Sequence, residues 1–194
     1  MAFWNFNNDS VADAATDVVN GFTGQFINNA FYTFDAGGRS GQAGDKAVDF
    51  GPDSTGQRMS VLNALWLNAV APGDKLTVSF WQWHQLVANA TTFWMQSPSS
   101  GGGRGAGAHV PWGDQRIYWD TAGCCDGNTQ RISQNISALN DPEFDFHAKW
   151  HHYVFVKNGP IKQIWVDGKL LIEGRSTNPL PADFISLTVG ADAA

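Results

Sequence analysis

The chain has 194 residues and a net charge of −6, and only 15% of its residues are charged, beside nine Trp, 13 Phe and 21 Gly. That length suits one domain that buries most of the surface its unfolded chain exposes, and the aromatic content excludes a disordered chain. An acidic surface without a basic stripe argues against nucleic acid. No apolar run approaches a membrane span, so no direct membrane insertion is expected.

The first residues, Met1-Ala2-Phe3-Trp4-Asn5-Phe6, lack the basic region and long apolar core of a signal peptide. Both ends read as cut. Residues 1–194 are therefore expected to be a single lectin-like ligand-binding domain, monomeric and excised from a longer protein.

Residues 7–45 read as long loops and short strands, with one short helical turn at most within residues 11–19. A short strand is expected at residues 46–50. Residues 76–84 alternate, with Leu76, Val78 and Phe80 on one face and Thr77, Ser79, Trp81 and Trp83 on the other. Residues 92–96 and 116–120 are aromatic strands. The glycine-rich stretch 97–108 between them reads as a long mobile loop. Residues 151–157 alternate again. Residues 163–167 and 169–172 flank Asp167-Gly168, a hairpin signal because both residues tolerate positive φ. Residues 186–189 complete an all-β set.

The order of Leu76-Thr77-Val78-Ser79-Phe80-Trp81, Lys149-Trp150-His151-His152-Tyr153-Val154-Phe155-Val156-Lys157, Ile164-Trp165-Val166-Asp167-Gly168-Lys169-Leu170 and Leu187-Thr188-Val189-Gly190 resembles the laminin-G-like branch of the concanavalin A-like jelly rolls. The resemblance implies an antiparallel two-sheet sandwich with six or seven strands in each sheet. The stretch from His109 through Asp120, followed by Gly123-Cys124-Cys125-Asp126-Gly127, resembles a narrower branch found in aquatic bacteria. There such domains decorate large secreted proteins. The acidic composition and the cut ends are similar to those of the peptide-binding domain of giant calcium-dependent bacterial adhesins of the repeats-in-toxin type. The resemblance implies an extracellular, cell-surface setting. It also implies calcium held by Asp17, Asn20 and Asp192.

Cys124 and Cys125 are adjacent. As a vicinal disulfide they form a small, rigid apolar plate for a ligand. The alternatives are a ring that only braces its loop, or two free thiols. Trp112 and Trp119 offer rings for stacking, with Tyr118 beside them. Core packing is the competing role for any strand tryptophan, and a core or structural role is the expected one for Trp81, Trp83, Trp94, Trp150 and Trp165. Arg104, His109, Asp114, Asp120, Asp126, Gln130 and Arg131 supply polar groups around the Cys pair. An arginine among glycines packs little and is free to fork onto a carboxylate, so Arg104 is the expected anchor and Arg131 its rival.

Retaining glycosidases need two carboxylates about 5 Å apart. Glu143 and Glu173 are each isolated, and Asp141, Glu143 and Asp145 read as a loop beside Pro142. His151-His152 faces both sides of a strand and suits structural use. A non-catalytic binder is expected, with a peptide such as a protein C-terminus as ligand and a carbohydrate as the alternative.

Overall fold

The computed structural model describes residues 1–7, 13–51, 56–84, 89–137, 139, 146 and 148–192. Asp141, Glu143 and Asp145 lie outside the described residues. Among the described residues fourteen strands follow in order: β1 (Ala14–Thr16), β2 (Thr23–Ile27), β3 (Phe31–Tyr32), β4 (Val48–Asp49), β5 (Arg58–Leu62), β6 (Lys75–Trp83), β7 (Phe93–Gln96), β8 (Arg104–His109), β9 (Arg116–Thr121), β10 (Arg131–Asn135), β11 (Trp150–Asn158), β12 (Ile161–Val166), β13 (Lys169–Arg175) and β14 (Ser186–Val189). Short 3-10 helices occupy Leu65–Gly73 and Gly101–Gly103.

The strands form an antiparallel jelly-roll sandwich. One sheet has eight strands, in the order β1-β2-β5-β14-β7-β8-β9-β10. The other has four, in the order β13-β12-β11-β6, and β3 pairs with β4 alone. The layers are therefore less equal than the resemblance implied. Hairpin chemistry sets the four-stranded sheet. Asp167 (φ 49°) and Gly168 (φ 79°) make the two-residue turn between β12 and β13.

The core follows from strand alternation. Met59, Val61, Phe93, Met95, Ala106, Ala108, Ile117, Trp119 and Leu187 face inward from the larger sheet. Leu76, Tyr153, Phe155, Ile164 and Val166 meet them from the smaller one. Phe155 sits at the centre, with its ring 5.6 Å from Trp119, 5.8 Å from Phe80 and 5.9 Å from Phe93. Trp119 Nε1 donates to the Val156 carbonyl at 3.2 Å and so links the layers.

Two lysines also face inward, opposite one another on β11 and β12. Lys157 Nζ donates to the carbonyls of Gly159 and Ser176 and pairs with Asp74 at 3.2 Å. Fully buried Lys162 donates to the carbonyls of Trp119 (2.7 Å) and Gln130 (2.9 Å). Burial pushes the Lys162 ammonium well below its usual range, with Asp120 opposing.

Three expectations are corrected here. Residues 97–108 do not form a mobile loop. They form a 3-10 turn and then β8, whose Gly105 to His109 are buried in the middle of the larger sheet. Small residues suit that place because neighbouring aromatic rings fill the space above them. Residues 14–16 of the expected helical turn are strand β1. Trp81 and Trp83 are not core. Each is 45% exposed on the outer face of the smaller sheet, because alternation along β6 gives the inward places to Leu76, Val78 and Phe80. Trp94 is buried, and Trp150 and Trp165 are half-buried.

Phe155→Ala should remove the ring on which both layers converge. The expected loss is about 3–5 kcal/mol, read as a lowered midpoint in urea unfolding with little change in slope.

Candidate functional site

The outer face of the larger sheet carries a continuous strip of aromatic and charged side chains. Its geometry starts at a bulge. Met95 pairs with Ala106 but Gln96 pairs with Arg104, so Gly105 is an extra residue in β8. The extra residue turns Arg104 onto the outer face, opposite Gln96. Arg104 then lies back across the sheet. Its guanidinium carbon is 4.5 Å from the centre of the Trp94 ring, and its Nη1 donates to Asp120. Gly107 lies beneath this course. A Cβ there would meet the Phe93 carbonyl at 3.1 Å and Arg104 Cδ at 3.9 Å.

Asp120 is fully buried, although it points away from the core. Arg131 reaches it from the neighbouring strand as a fork, Nε to Oδ1 at 2.6 Å and Nη2 to Oδ2 at 2.7 Å. Two guanidiniums thus share one carboxylate. Arg131 also lies 4.2 Å over the Tyr118 ring, and its Nη2 is 3.1 Å from Cys124 Sγ. Tyr118 donates its hydroxyl to Asp114, and burial together with that bond raises its pKa. His109 is next in the strip, 6.0 Å from Tyr118 and 4.5 Å from half-buried Trp112.

The Cys loop closes one end of the strip. Cys124 and Cys125 are joined as a vicinal disulfide, with Cys125 exposed and Cys124 half-buried. The preceding Gly123 (φ 113°) leaves space for the Gln130 side chain, whose Nε2 donates to the Ala122 carbonyl. Asp126 accepts the backbone N–H groups of Asn128 and Thr129, which hold its carboxyl below the usual range. The 101–103 glycine turn lies alongside, with Gly123 Cα within 3.9 Å of a Cβ placed at Gly101.

The structure therefore gathers Arg104, Arg131, Cys124 and Cys125 at one end of the strip, and His109, Trp112 and Asp114 at the other. Asp126 and Gln130 serve the Cys loop from within. Trp119 does not belong to the site. It is fully buried and faces the opposite layer, as β9 alternation requires between Tyr118 and Asp120. The free, loosely packed Arg104 is also corrected, because it is ion-paired and largely covered. Trp94 is an addition. Its position opposite Gly107 was readable only with β8 recognised as a strand.

Two donors in this strip have no partner among the described residues. Trp94 Nε1 and Arg104 Nε are both buried and both unbonded. Each is a donor only, as are the similarly unbonded indole nitrogens of Trp4 and Trp66 elsewhere in the fold.

The residues expected to hold calcium are differently engaged. Asp17 is buried, and its Oδ1 accepts the N–H groups of Phe3 and Val19. Its Oδ2 accepts the backbone and side-chain N–H groups of Asn20. Burial raises its pKa, but these bonds outweigh burial and the net shift is downward. Four donors fill the lone pairs that a cation would need, and Asn20 Nδ2 also donates to the Met1 carbonyl. The arrangement does not fit a calcium ion at Asp17 and Asn20. Asp192 is exposed beyond β14.

The architecture belongs to the class of β-sandwich jelly rolls. No family description matches the chain, and no curated protein matches it in sequence. Among solved structures, it is similar to the botulinum neurotoxin serotype D binding domain, with 11% identity, a TM-score of 0.59, and coverage of 100% of this chain and 44% of that one. It is also similar to the binding domain of botulinum neurotoxin DC in complex with rat synaptotagmin II, with 13% identity, a TM-score of 0.58, and coverage of 96% and 42%. The same neurotoxin domain in complex with SialylT gives 13% identity, a TM-score of 0.56, and coverage of 95% and 41%. The chain thus spans about two-fifths of the length of these structures, and the likeness carries the fold.

Two outcomes follow. Burial lowers the His109 pKa from 6.5 to about 4, Arg104 adds to the effect, and Asp120 opposes it. Between those values the unfolded chain takes up a proton that the folded one refuses. Stability should therefore fall as pH drops from about 6.5 to about 4, by about 3 kcal/mol. Subtracting the urea-unfolding pH profile of His109→Gln should isolate this component. Asp17→Ala should lower the melting temperature by the same amount in millimolar calcium and in chelator. A loss confined to calcium would instead place the ion at Asp17.

Proposed function

We propose that this chain is a non-catalytic, extracellular binding module of a bacterial surface adhesin. It takes the carboxylate end of a peptide on the outer face of its larger sheet. The observation that carries this reading is the pair of buried, unbonded donors, Trp94 Nε1 and Arg104 Nε. They lie beside two guanidiniums that share the single carboxylate of Asp120. A carboxylate arriving beside Trp94 and Arg104 would supply the acceptor that these two donors lack, while Asp120 keeps its pairs with both guanidiniums.

The disulfide at Cys124 and Cys125 gives the adjacent side chain of such a peptide a stiff apolar surface. Tyr118 and Trp112 continue the strip along the direction a peptide chain would follow. The neurotoxin domains of the same fold, whose partners include synaptotagmin II, support a binding role. The acidic composition, similar to that of adhesin peptide-binding domains, and the resemblance of the Cys-pair segment to domains of large secreted bacterial proteins support the cell-surface setting.

The test is a library of peptide C-termini, screened by titration with each peptide in free-acid and C-terminally amidated forms. A hydrogen bond to a charged group contributes roughly 1.5–3 kcal/mol. Amidation should therefore weaken binding about tenfold or more, and Trp94→Phe should weaken the free acid while leaving the amide unchanged. Equal affinity for acid and amide would overturn the carboxylate reading.

A further inference from the structure

The outer face of the four-stranded sheet carries a second feature that the carboxylate strip does not use. Register places Trp83 opposite Trp150, Trp81 opposite His152, and Trp165 opposite Leu170. All six side chains point away from the core, since the residues between them on each strand are the inward ones. Trp81, Trp83 and Leu170 are each 45% exposed. A solvent-facing strand position ordinarily takes a polar residue, and β6 does so at Thr77 and Ser79 before switching to tryptophan. The rings also form a continuous surface. Trp83 meets Trp150 edge to face at 6.1 Å, and Trp81 stacks on His152 at 5.0 Å.

Polar groups of both signs are interleaved with these rings. The Arg39 guanidinium carbon sits 4.1 Å above Trp81, and His152 Nε2 is 2.7 Å from Ser79 Oγ. Trp165 Nε1 donates to Gln163 Oε1, and Gln163 Nε2 donates to Glu173. Asp167 accepts the His152 N–H and stays partly exposed. An apolar partner or a lipid tail would have to bury Arg39, His152 and Asp167 without new bonds, which is costly. A strongly anionic or cationic partner finds no matching excess of charge.

A neutral sugar ring matches the arrangement. It presents a C–H face to an aromatic ring and a rim of hydroxyls that both donate and accept. We propose that this face is a second binding site, a platform for a neutral hexopyranose chain, with Trp83 and the part of Trp81 that Arg39 and His152 leave exposed as the stacking plates and Trp150 as a side wall. The site is separate from the carboxylate strip, because the two lie on opposite outer faces of one sandwich.

The test is affinity electrophoresis of the whole chain in gels cast with dextran, laminarin, mannan or galactan. Retardation by at least one of these polymers is expected, weakened about tenfold or more in Trp81→Ala and in Trp83→Ala. Trp94→Phe, on the other face, should migrate as wild type, so the two sites fail independently. Indole N–H resonances provide a second readout that needs no alanine variant to fold. On addition of an oligosaccharide of the retarding polymer, those assigned through Trp81→Phe and Trp83→Phe should shift, and that of buried Trp119 should not. Absence of retardation by all four polymers would overturn the proposal. So would retardation unchanged in a Trp81→Ala, Trp83→Ala double variant, or a wild-type dimer in sedimentation that this double variant dissolves.

Discussion

A carboxylate with no exposure to water organises the outer face of the larger sheet. Asp120 stands on β9, one strand in from the sheet edge, and points away from the core, yet Arg104 and Arg131 cover it from both sides. Removing one partner of such a buried set leaves an uncompensated charge, which typically costs about 3–5 kcal/mol. That constraint fixes the rest of the strip. Arg104 reaches Asp120 by lying past Gly107, from a position set by the register shift at Gly105 of β8. Arg131 reaches it as a fork, and in that pose its guanidinium meets Tyr118 and the sulfur of Cys124. The Cys loop is thus tied to the sheet by the Arg131 hydrogen bond to Cys124 Sγ as well as by the backbone bonds from Ala122 and Gly123 to β8.

A second cationic device acts from the inside. Lys162 spends two of its three N–H groups on carbonyls of the larger sheet, at Trp119 and Gln130. Gln130 is the residue just before β10, so the ammonium grips the strand entry beneath Arg131. Trp119 lies 4.8 Å from the same nitrogen. Inner and outer faces of β9 are therefore braced by opposite means, a lysine on carbonyls within and arginines on a carboxylate without.

The fold was legible in sequence wherever alternation was uninterrupted. β6, β11 and the β12–β13 hairpin follow directly from period-two patterning and from Asp167-Gly168. Strand β8 was not legible, because Arg-Gly-Ala-Gly-Ala-His has the composition of a linker and its strand character comes wholly from aromatic neighbours in other segments. Lys157 and Lys162 were hidden for a related reason. A lysine at an inward strand position is acceptable only when backbone carbonyls are waiting for it, and those carbonyls lie far away in sequence. The clustering of Arg104, Arg131 and the Cys pair was anticipated, but their mutual engagement was not, since local sequence does not reveal that Asp120 would be shut off from water. Trp81 and Trp83 are the opposite case. Their outward face was written in the alternation of β6, and the general habit of burying tryptophan pointed the wrong way.

The close approach of β10 and β13 bears on how the chain behaves at high concentration. Each is the outermost strand of its sheet, and Gly174 of β13 comes so near β10 that an added Cβ would lie 2.7 Å from Ile132 Cγ2. Edge strands are where sheets recruit strands from other molecules. Here two such edges are turned toward each other, so each shields its neighbour's unpaired backbone groups. At the far side of the larger sheet the edge is β1, only three residues long and too short to template much pairing. Among the described residues a long edge is left at β6, and Arg39 lies over the Trp81 ring on the face beside it. The sandwich thus guards itself against strand exchange mostly by geometry and only in small part by charge, which is a consistent solution for a chain with so few charged residues.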